Sequence, residues 1–348
     1  MRKFMVMSGF LGAGKTTVMM ALTDHLTRTG RKAAMISNDL GGRGLADYRY
    51  SKAAGIKAEE ISGSCICNVT QHLVERLRRL YTDDECQLVM SDIPGFGVGA
   101  LKHVYYRLRD LYPDDCRLAP FTVVTEGSLL EKWTDEFEVL IRSQLLEGDL
   151  IVLNKADLYT DEEKETYLDL IRTICPKTPV ILVSALTGEG IPDLADYLYS
   201  QETGFPEPDF GFSNKEFQAA FRKLSMYNCQ YYTEVCCNDF DANDYLTDLA
   251  CRIKDGLKEQ GYDVPHLKLF AQREDGAYSR ADLLGVDKEV ILSHRMEGRC
   301  VDLPVVINTT SAAAAPDLSG IIDQAIDDVS GLYNLSVVIY FKECFGLH

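Results

Sequence analysis

The stretch GFLGAGKTT, Gly9 to Thr17, decides the fold of the first half of the chain. It fits G-x-x-x-x-G-K-[ST] with a second threonine behind it. Its surroundings are those the motif needs: an apolar strand over Phe4 to Met7, then a helical run from Thr16 to about Thr29, stopped at Gly30. The glycines let backbone N–H groups turn inward onto phosphate oxygens, and the helix N-terminus adds its positive end. Gly9, Gly12, Ala13, Gly14 and Thr17 are the expected phosphate contacts. Lys15 is expected to neutralise the outer phosphates, and the Thr16 hydroxyl to hold magnesium.

Working outward, LIVLNKADL (Leu150 to Leu158) places Asn-Lys-x-Asp after an apolar run. Asp157 can accept the paired N1–H and N2–H of guanine, whereas adenine presents one donor against a C–H. Asn154 and Lys155 would brace the loop around the base. VSAL (Val183 to Leu186) follows another strand, where Ser184, Ala185 and Leu186 can offer a backbone contact to the base. Together with the phosphate loop, these elements predict GTP rather than ATP. LVMSDIPG ends a strand at Asp92, with Gly95 three residues on: Asp92 is the expected magnesium carboxylate and the Gly95 amide the γ-phosphate contact. AMISNDLGG ends another strand at Asn38 and Asp39. Asp39 reads equally as a second magnesium or water-positioning carboxylate and as an Asp that starts a turn.

Strands ending near residues 7, 38, 61, 91, 124, 153 and 183 alternate with helical stretches. This predicts an α/β domain over residues 1–200: a parallel P-loop NTPase sheet, helices on both faces, nucleotide at the carboxyl ends of the strands. QETGFPEPDFGFSNKE, Gln201 to Glu216, reads as a linker. Residues 217–348 then predict a smaller α+β domain: a strand ending at TEVCC, a helix from Ala242 to Gln260, and a strand over His266 to Ala271. Strands near Glu289 to His294 and Leu303 to Thr309, a helix near Asp317 to Ser330 and a strand from Leu335 to Phe341 complete it. The order matches an elaborated ferredoxin-like β-α-β-β-α-β sandwich.

The 348 residues exceed a usual single core, which agrees with two domains. A net charge of −17 repels phosphate backbones and anionic lipid, so neither nucleic acid nor membrane is an expected partner. MRKFMVMSGF reads as a strand, not a signal peptide, and no run approaches the ~20 apolar residues that span a bilayer. Eleven cysteines, an odd number, argue for a reducing cytoplasm over a disulfide framework.

These residues resemble the CobW/HypB/UreG group of P-loop GTPases that deliver or insert metals. The resemblance covers about Met1 to Ser200 and rests on SGFLGAGKTT, on N-D-L-G, on QLLEGDLIVLNKADL and on GSCICN (Gly63 to Asn68). The last lies where the CobW branch carries Gly-Cys-x-Cys-Cys. Here the first family cysteine is Ser64, leaving Cys65 and Cys67. The resemblance implies a cytoplasmic GTPase, slow alone and faster with a partner, that couples GTP and Mg²⁺ to Zn²⁺, cobalt or nickel delivery to a client metalloenzyme or corrinoid protein. Two thiolates leave a closed zinc site short of ligands, so a homodimer, His72 or His103 is the expected source of the rest. The alternatives are that Cys65 and Cys67 simply pack beside the nucleotide loops, and that the protein remodels a client, such as a corrinoid-dependent methyltransferase, with no metal cargo. Arg43 in GGRG reads either as a charge stabiliser, in its own site or in that of a second subunit, or as a solvated loop residue. The later thiols (Cys229, Cys236, Cys237, Cys251, Cys300, Cys344) read as structural, and His348 with Cys344 reads as a frayed tail rather than a metal grip.

Overall fold

The computed structural model describes residues 2–42, 44, 46–131 and 137–347. Arg43, Trp133 and His348 lie outside the described residues. By contact the chain divides into two units, Met1–Leu40 with Gly55–Ala220, and Gly41–Ala54 with Phe221–His348. Residues 41–54, which chain order would place in the first unit, pack with the second.

In chain order the elements begin β1 (Lys3–Ser8), α1 (Lys15–Arg28), β2 (Ala33–Asp39), α2 (Ala46–Ala53), β3 (Ala58–Ser62), α3 (Thr70–Thr82) and β4 (Leu88–Asp92). A π-helical turn, Leu101–Tyr106, runs into α4 (Arg107–Leu111). Then come β5 (Arg117–Leu118), β6 (Thr122–Thr125), α5 (Gly127–Glu131), α6 (Glu138–Glu147) and β7 (Leu150–Leu153). The helices α7 (Asp161–Ile174), α8 (Ile191–Ser200) and α9 (Asn214–Phe221) and the strand β8 (Val180–Leu182) complete the run.

The first unit's main strands are parallel, in the order β3-β2-β4-β1-β6-β7-β8, with β5 paired to the start of β1. Their apolar runs reflect burial on both faces: Phe4, Met5, Val6 and Met7 are all fully buried. The strands end within a residue of where the sequence puts them. The strand order switches direction at β1, between β4 and β6, the point at whose carboxyl end sheets of this kind take ligands. Lys3, buried at the start of β1, donates to the carbonyls of Leu198 (3.0 Å), Tyr199 (2.6 Å) and Gln201 (2.7 Å). A buried ammonium thereby satisfies the open carbonyls at the end of α8. Thr160 and Glu163 form a reciprocal cap on α7, setting its start just past the guanine-motif loop.

The second unit contains β9 (Ser225–Val235), α10 (Ala242–Glu259), β10 (His266–Gln272), β11 (Tyr278–Leu283), β12 (Ile291–His294), β13 (Asp302–Ser311), α11 (Ala315–Leu332) and β14 (Leu335–Gly346). The sheet is antiparallel, in the order β12-β11-β10-β13-β9-β14. Without the β11–β12 extension, β10-β13-β9-β14 is the ferredoxin-like strand order. The helices α10 and α11 pack with Tyr227, Cys229 and Tyr231 of β9 into one core.

The sequence reading names neither β11 nor α2. Strand β11 reads YSRADL, and its Arg280 and Asp282 lie on the face away from the helical core. That face is covered by α2, so a charged residue stands where alternation would lead one to expect solvent (Arg280 is 7% exposed). All eleven cysteines are free. Cys229 and Cys300 are buried and Cys251 and Cys344 half-buried, but Cys236 and Cys237 are exposed in the bend after β9, so these two are not packing residues. Among the described residues no helix is long and apolar enough to cross a membrane.

Candidate nucleotide site and thiol pair

The phosphate loop is shaped by close approach. Gly9 has φ +133°, and a Cβ there would stand 2.0 Å from the Val124 carbonyl oxygen at the end of β6. At Gly14, φ +94°, a Cβ would lie 2.3 Å from Asn154 Nδ2. Both positions therefore require glycine, and the loop lies flush against β6 and β7. The Lys15 ammonium folds back onto the loop, donating to the carbonyls of Gly9 (2.7 Å) and Phe10 (3.2 Å). Thr16 is buried at the first turn of α1 and Thr17 is exposed.

Asn154 ties the guanine-type motif to this loop. Its Nδ2 donates to Ala13 O (3.0 Å), its Oδ1 accepts from Ala185 N (3.2 Å), and its own N–H bonds Thr125 O (2.9 Å). Lys155 follows in the left-handed region at φ +64°, near the Glu126 carboxylate (3.8 Å). Asp157 is exposed beside Leu158. Ser184 is buried, its hydroxyl accepting from Thr187 N (3.1 Å), and Leu186 is exposed. The three segments that sequence reading grouped thus meet through one asparagine.

The acidic side is organised by a second asparagine, whose part the sequence reading did not identify. Asn38 donates its backbone N–H to Asp92 Oδ1 (2.7 Å). Its side chain donates to Ile61 O (2.9 Å) and Ser64 O (2.8 Å) and accepts from Ile66 N (3.0 Å). Asn38 is 3% exposed and Asp92 6%. The GSCICN loop is therefore wired through one residue to the end of β4. Asp39 Oδ1 accepts from Leu40 N (2.7 Å), and the carboxylates of Asp39 and Asp92 both lie near enough to Cys65 to disfavour its thiolate.

Cys65 and Cys67 are half-buried with their sulfurs 2.8 Å apart, and Cys67 N also reaches Cys65 Sγ at 3.3 Å. The Cys67 hydrogen bond pulls the Cys65 thiol below its usual range. The same bond, with burial, pushes Cys67 up, so Cys65 is the first of the pair to ionise. His72 and His103 are exposed. Among the described residues no group of three or more His, Cys, Asp or Glu is assembled to hold a metal, so neither histidine joins the pair.

The segment after Asp92 is clamped from α6. Gln144 Nε2 donates to Gly95 O (3.1 Å) and Gly97 O (2.9 Å), and Glu147 Oε2 accepts from Gly99 N (2.9 Å). Burial pushes the Glu147 carboxyl up to about 7, against the pull of the backbone N–H groups. Both lie in the quoted run QLLEGDLIVLNKADL, but their hold on the segment after Asp92 has no local signature, because each acts through a fold contact.

A glycine cradle with a lysine, a helix N-terminus, two carboxylates and an Asn-Lys-x-Asp loop, all at strand ends, is equipped to bind a nucleotide triphosphate with a divalent cation. The family model described as CobW/HypB/UreG, nucleotide-binding domain, matches residues 3–182. The small ribosomal subunit biogenesis GTPase RsgA of Thermotoga neapolitana is 27% identical over 160 residues, 45% of this chain and 53% of that one. The zinc-regulated GTPase metalloprotein activator 1 of Schizosaccharomyces pombe is 23% identical over 252 residues, 69% of this chain and 58% of that one. The chain thus spans little more than half the length of these curated relatives. Among solved structures, the Zn(II)-bound YjiA GTPase from E. coli superposes with TM-score 0.39 at 14% identity, covering 94% of this chain and 98% of that one.

Proposed function

We propose, on the premise that the chain belongs to the CobW/HypB/UreG family of P-loop GTPases, that it hydrolyses GTP and uses its nucleotide state to take up and hand over a transition metal to a client protein. Lys15 would leave the Gly9 and Phe10 carbonyls for the outer phosphates, and the amides from Gly9 to Thr17 would line the rest. Thr16, Asp92 and Asp39 are the residues that would hold magnesium, which supplies positive charge beside those phosphates. The Gly95 amide, its loop steadied by Gln144, would meet the γ-phosphate. Asp157 would read the N1–H and N2–H of guanine, with Ser184, Ala185 and Leu186 on the base's other edge. The free thiols fit a reducing cytoplasm.

The observation that carries this reading is Asn38. It bonds Asp92 through its backbone and holds Ser64 O and Ile66 N through its side chain. A ligand that repositions Asp92 therefore repositions the thiol loop. The metal would be zinc, cobalt or nickel, held by Cys65 and Cys67 and completed by groups from the client or from a second copy of the chain. The relative named as a zinc-regulated metalloprotein activator supports a client of the metalloenzyme kind.

Zinc titration of the reduced, GTP-loaded protein tests this. The expected stoichiometry is roughly one zinc per subunit or per pair of subunits, weakening as pH falls because thiolates must form. The Cys65→Ser, Cys67→Ser double variant should lose that zinc, with GTP affinity measured on the same samples. Asp157→Asn should shift base preference from guanine toward xanthine; equal ATP and GTP affinity in the parent protein would sink the base assignment. The second reading, remodelling of a client such as a corrinoid protein without metal cargo, is favoured by Ser64 and by the lack of a third ligand among the described residues. It takes over if the parent protein binds no more metal than the double variant.

A further inference from the structure

The connection between β2 and β3 leaves the first unit's sheet at Asp39, and from Gly41 to Ala54 it packs on the second unit's sheet, on the face away from α10 and α11. That face presents a cross-strand row in register: Glu343 of β14, Asn228 of β9, Asn308 of β13 and Lys268 of β10. The row is joined side chain to side chain. Asn308 Nδ2 donates to Asn228 Oδ1 (2.6 Å) and Asn228 Nδ2 to Glu343 Oε1 (2.9 Å). The 41–54 segment lies along it. Gly42 N donates to Glu343 Oε1 (2.6 Å), Ala46 N donates to Asn308 Oδ1 (2.6 Å), and Asp47 pairs with Lys268.

From the next row, Gln230 accepts from Arg49 (2.8 Å), and Arg280 stands 3.4 Å from Asp47 with its guanidinium over the Tyr50 ring. Ala46 packs with Phe270 and Val306. The fit has no slack. A Cβ on Gly41 would meet Asn228 Nδ2 at 2.2 Å, and one on Gly42 would meet Phe341 Cζ at 2.3 Å. The glycines of GGRG are thus explained by contact with this sheet. Backbone amides, a carboxylate and an aromatic ring are each matched by a partner, so the face is a built receptor for this one segment.

We propose that residues 41–54 are a strap through which the second unit senses the nucleotide: GTP and GDP favour the docked strap to different degrees. The chain between the two anchors is short. Asp39, a candidate magnesium carboxylate, and Leu40 are the only residues between the body of β2 and Gly41. A change at Asp39 therefore has almost no chain to absorb it before the Gly42–Glu343 bond. By linkage, the factor by which GTP and GDP differ in docking the strap is the factor by which docking alters the preference for GTP over GDP. This inference rests on the nucleotide reading above.

Hydrogen exchange on the full chain tests it, with magnesium and either GDP or a non-hydrolysable GTP analogue, and with both affinities measured by calorimetry on the same samples. Peptides over residues 41–54 should differ in exchange by roughly fivefold or more between the two states. Peptides over α10, on the opposite face, should not. Arg49→Ala, which removes the bond to Gln230 and the bond to Gly44 O and keeps Asp47 in place, should narrow that difference and change the ratio of GTP to GDP affinity by the same factor. If both nucleotides bind and the strap exchanges identically with each, the strap is static and the proposal falls while the nucleotide reading stands. If neither nucleotide binds, both fall.

Discussion

The two sheets bury polar groups in opposite places, and the contrast tells ligand sites from self-recognition. In the first unit the polar residues Asn38, Asp92 and Asn154 stand at strand ends, the strands behind them being apolar but for Ser37 and Ser91 next to those ends. In the second unit Asn228, Asn308, Lys268 and Arg280 stand mid-strand on one face. Parallel strands covered on both faces have nowhere to place polar groups except their ends, where loops can turn them toward a bound molecule. An antiparallel sheet with one covered face can carry polar groups anywhere on the other. When such groups are found buried, something must satisfy them, and here it is the chain's own segment 41–54. Loss of a group should therefore reduce chemistry in the first unit and stability in the second.

The sharpest way to break this contrast is Lys15→Ala. A positioned cation on a transferring phosphoryl group is worth about 3–4 kcal/mol, so turnover of GTP should fall roughly 10²–10³-fold with the melting temperature little changed. Parent-like turnover would show that the phosphate loop is not the catalytic centre. In the second unit, Asp47→Ala should do the reverse and cost about 3 kcal/mol of unfolding free energy, read by denaturant titration. Burial works against the Asp47 charge, but Lys268 and Arg280 overcome it and hold the carboxyl far below the usual carboxylate range. Its removal strands Lys268, while Arg280 keeps its bidentate partner Asp282, so the loss sits at the low end for a broken buried pair. A variant as stable as the parent would mean that the ion cluster is no more than surface decoration.

Glu147 sharpens the comparison, because it is a buried carboxylate in the first unit that serves structure. Its folded-state pKa, about 7, lies above the ordinary carboxylate value of 4.5. Between those values the folded chain holds a proton that the unfolded chain has released, so stability falls as pH rises through this window. Glu147→Gln retains an acceptor for Gly99 N and has no proton to lose. Its stability relative to the parent should therefore rise from pH 5 to pH 8, by at most about 3 kcal/mol. Identical slopes for parent and variant would show that Glu147 is ionised throughout.

How much of this was legible in sequence follows from how far apart the partners lie. GFLGAGKTT, DIPG, NKAD and SAL could be read because each is a contiguous run whose backbone shape and side-chain chemistry are set locally, and the apolar strands before them predict the parallel sheet. The ferredoxin-like order of the second unit was legible from its helical and alternating periods, except at β11, a six-residue run in which only Ala281 and Leu283 carry the apolar period. Asn38 was visible as half of an Asn-Asp pair, but its hold on Ser64 and Ile66 was not, since nothing local points a side chain across to β3. The sequence by itself therefore determined the strand-end loops that carry these motifs and the plan of a parallel sheet followed by an antiparallel one, and it is the ground for the guanine preference proposed above. Only the tertiary structure decided that Asp47 belongs with Lys268, 221 residues away, and that GGRG is cut to fit Asn228 and Phe341. Such pairings carry no local signature, because each partner alone is an ordinary surface residue and becomes specific only when the fold removes water from between them.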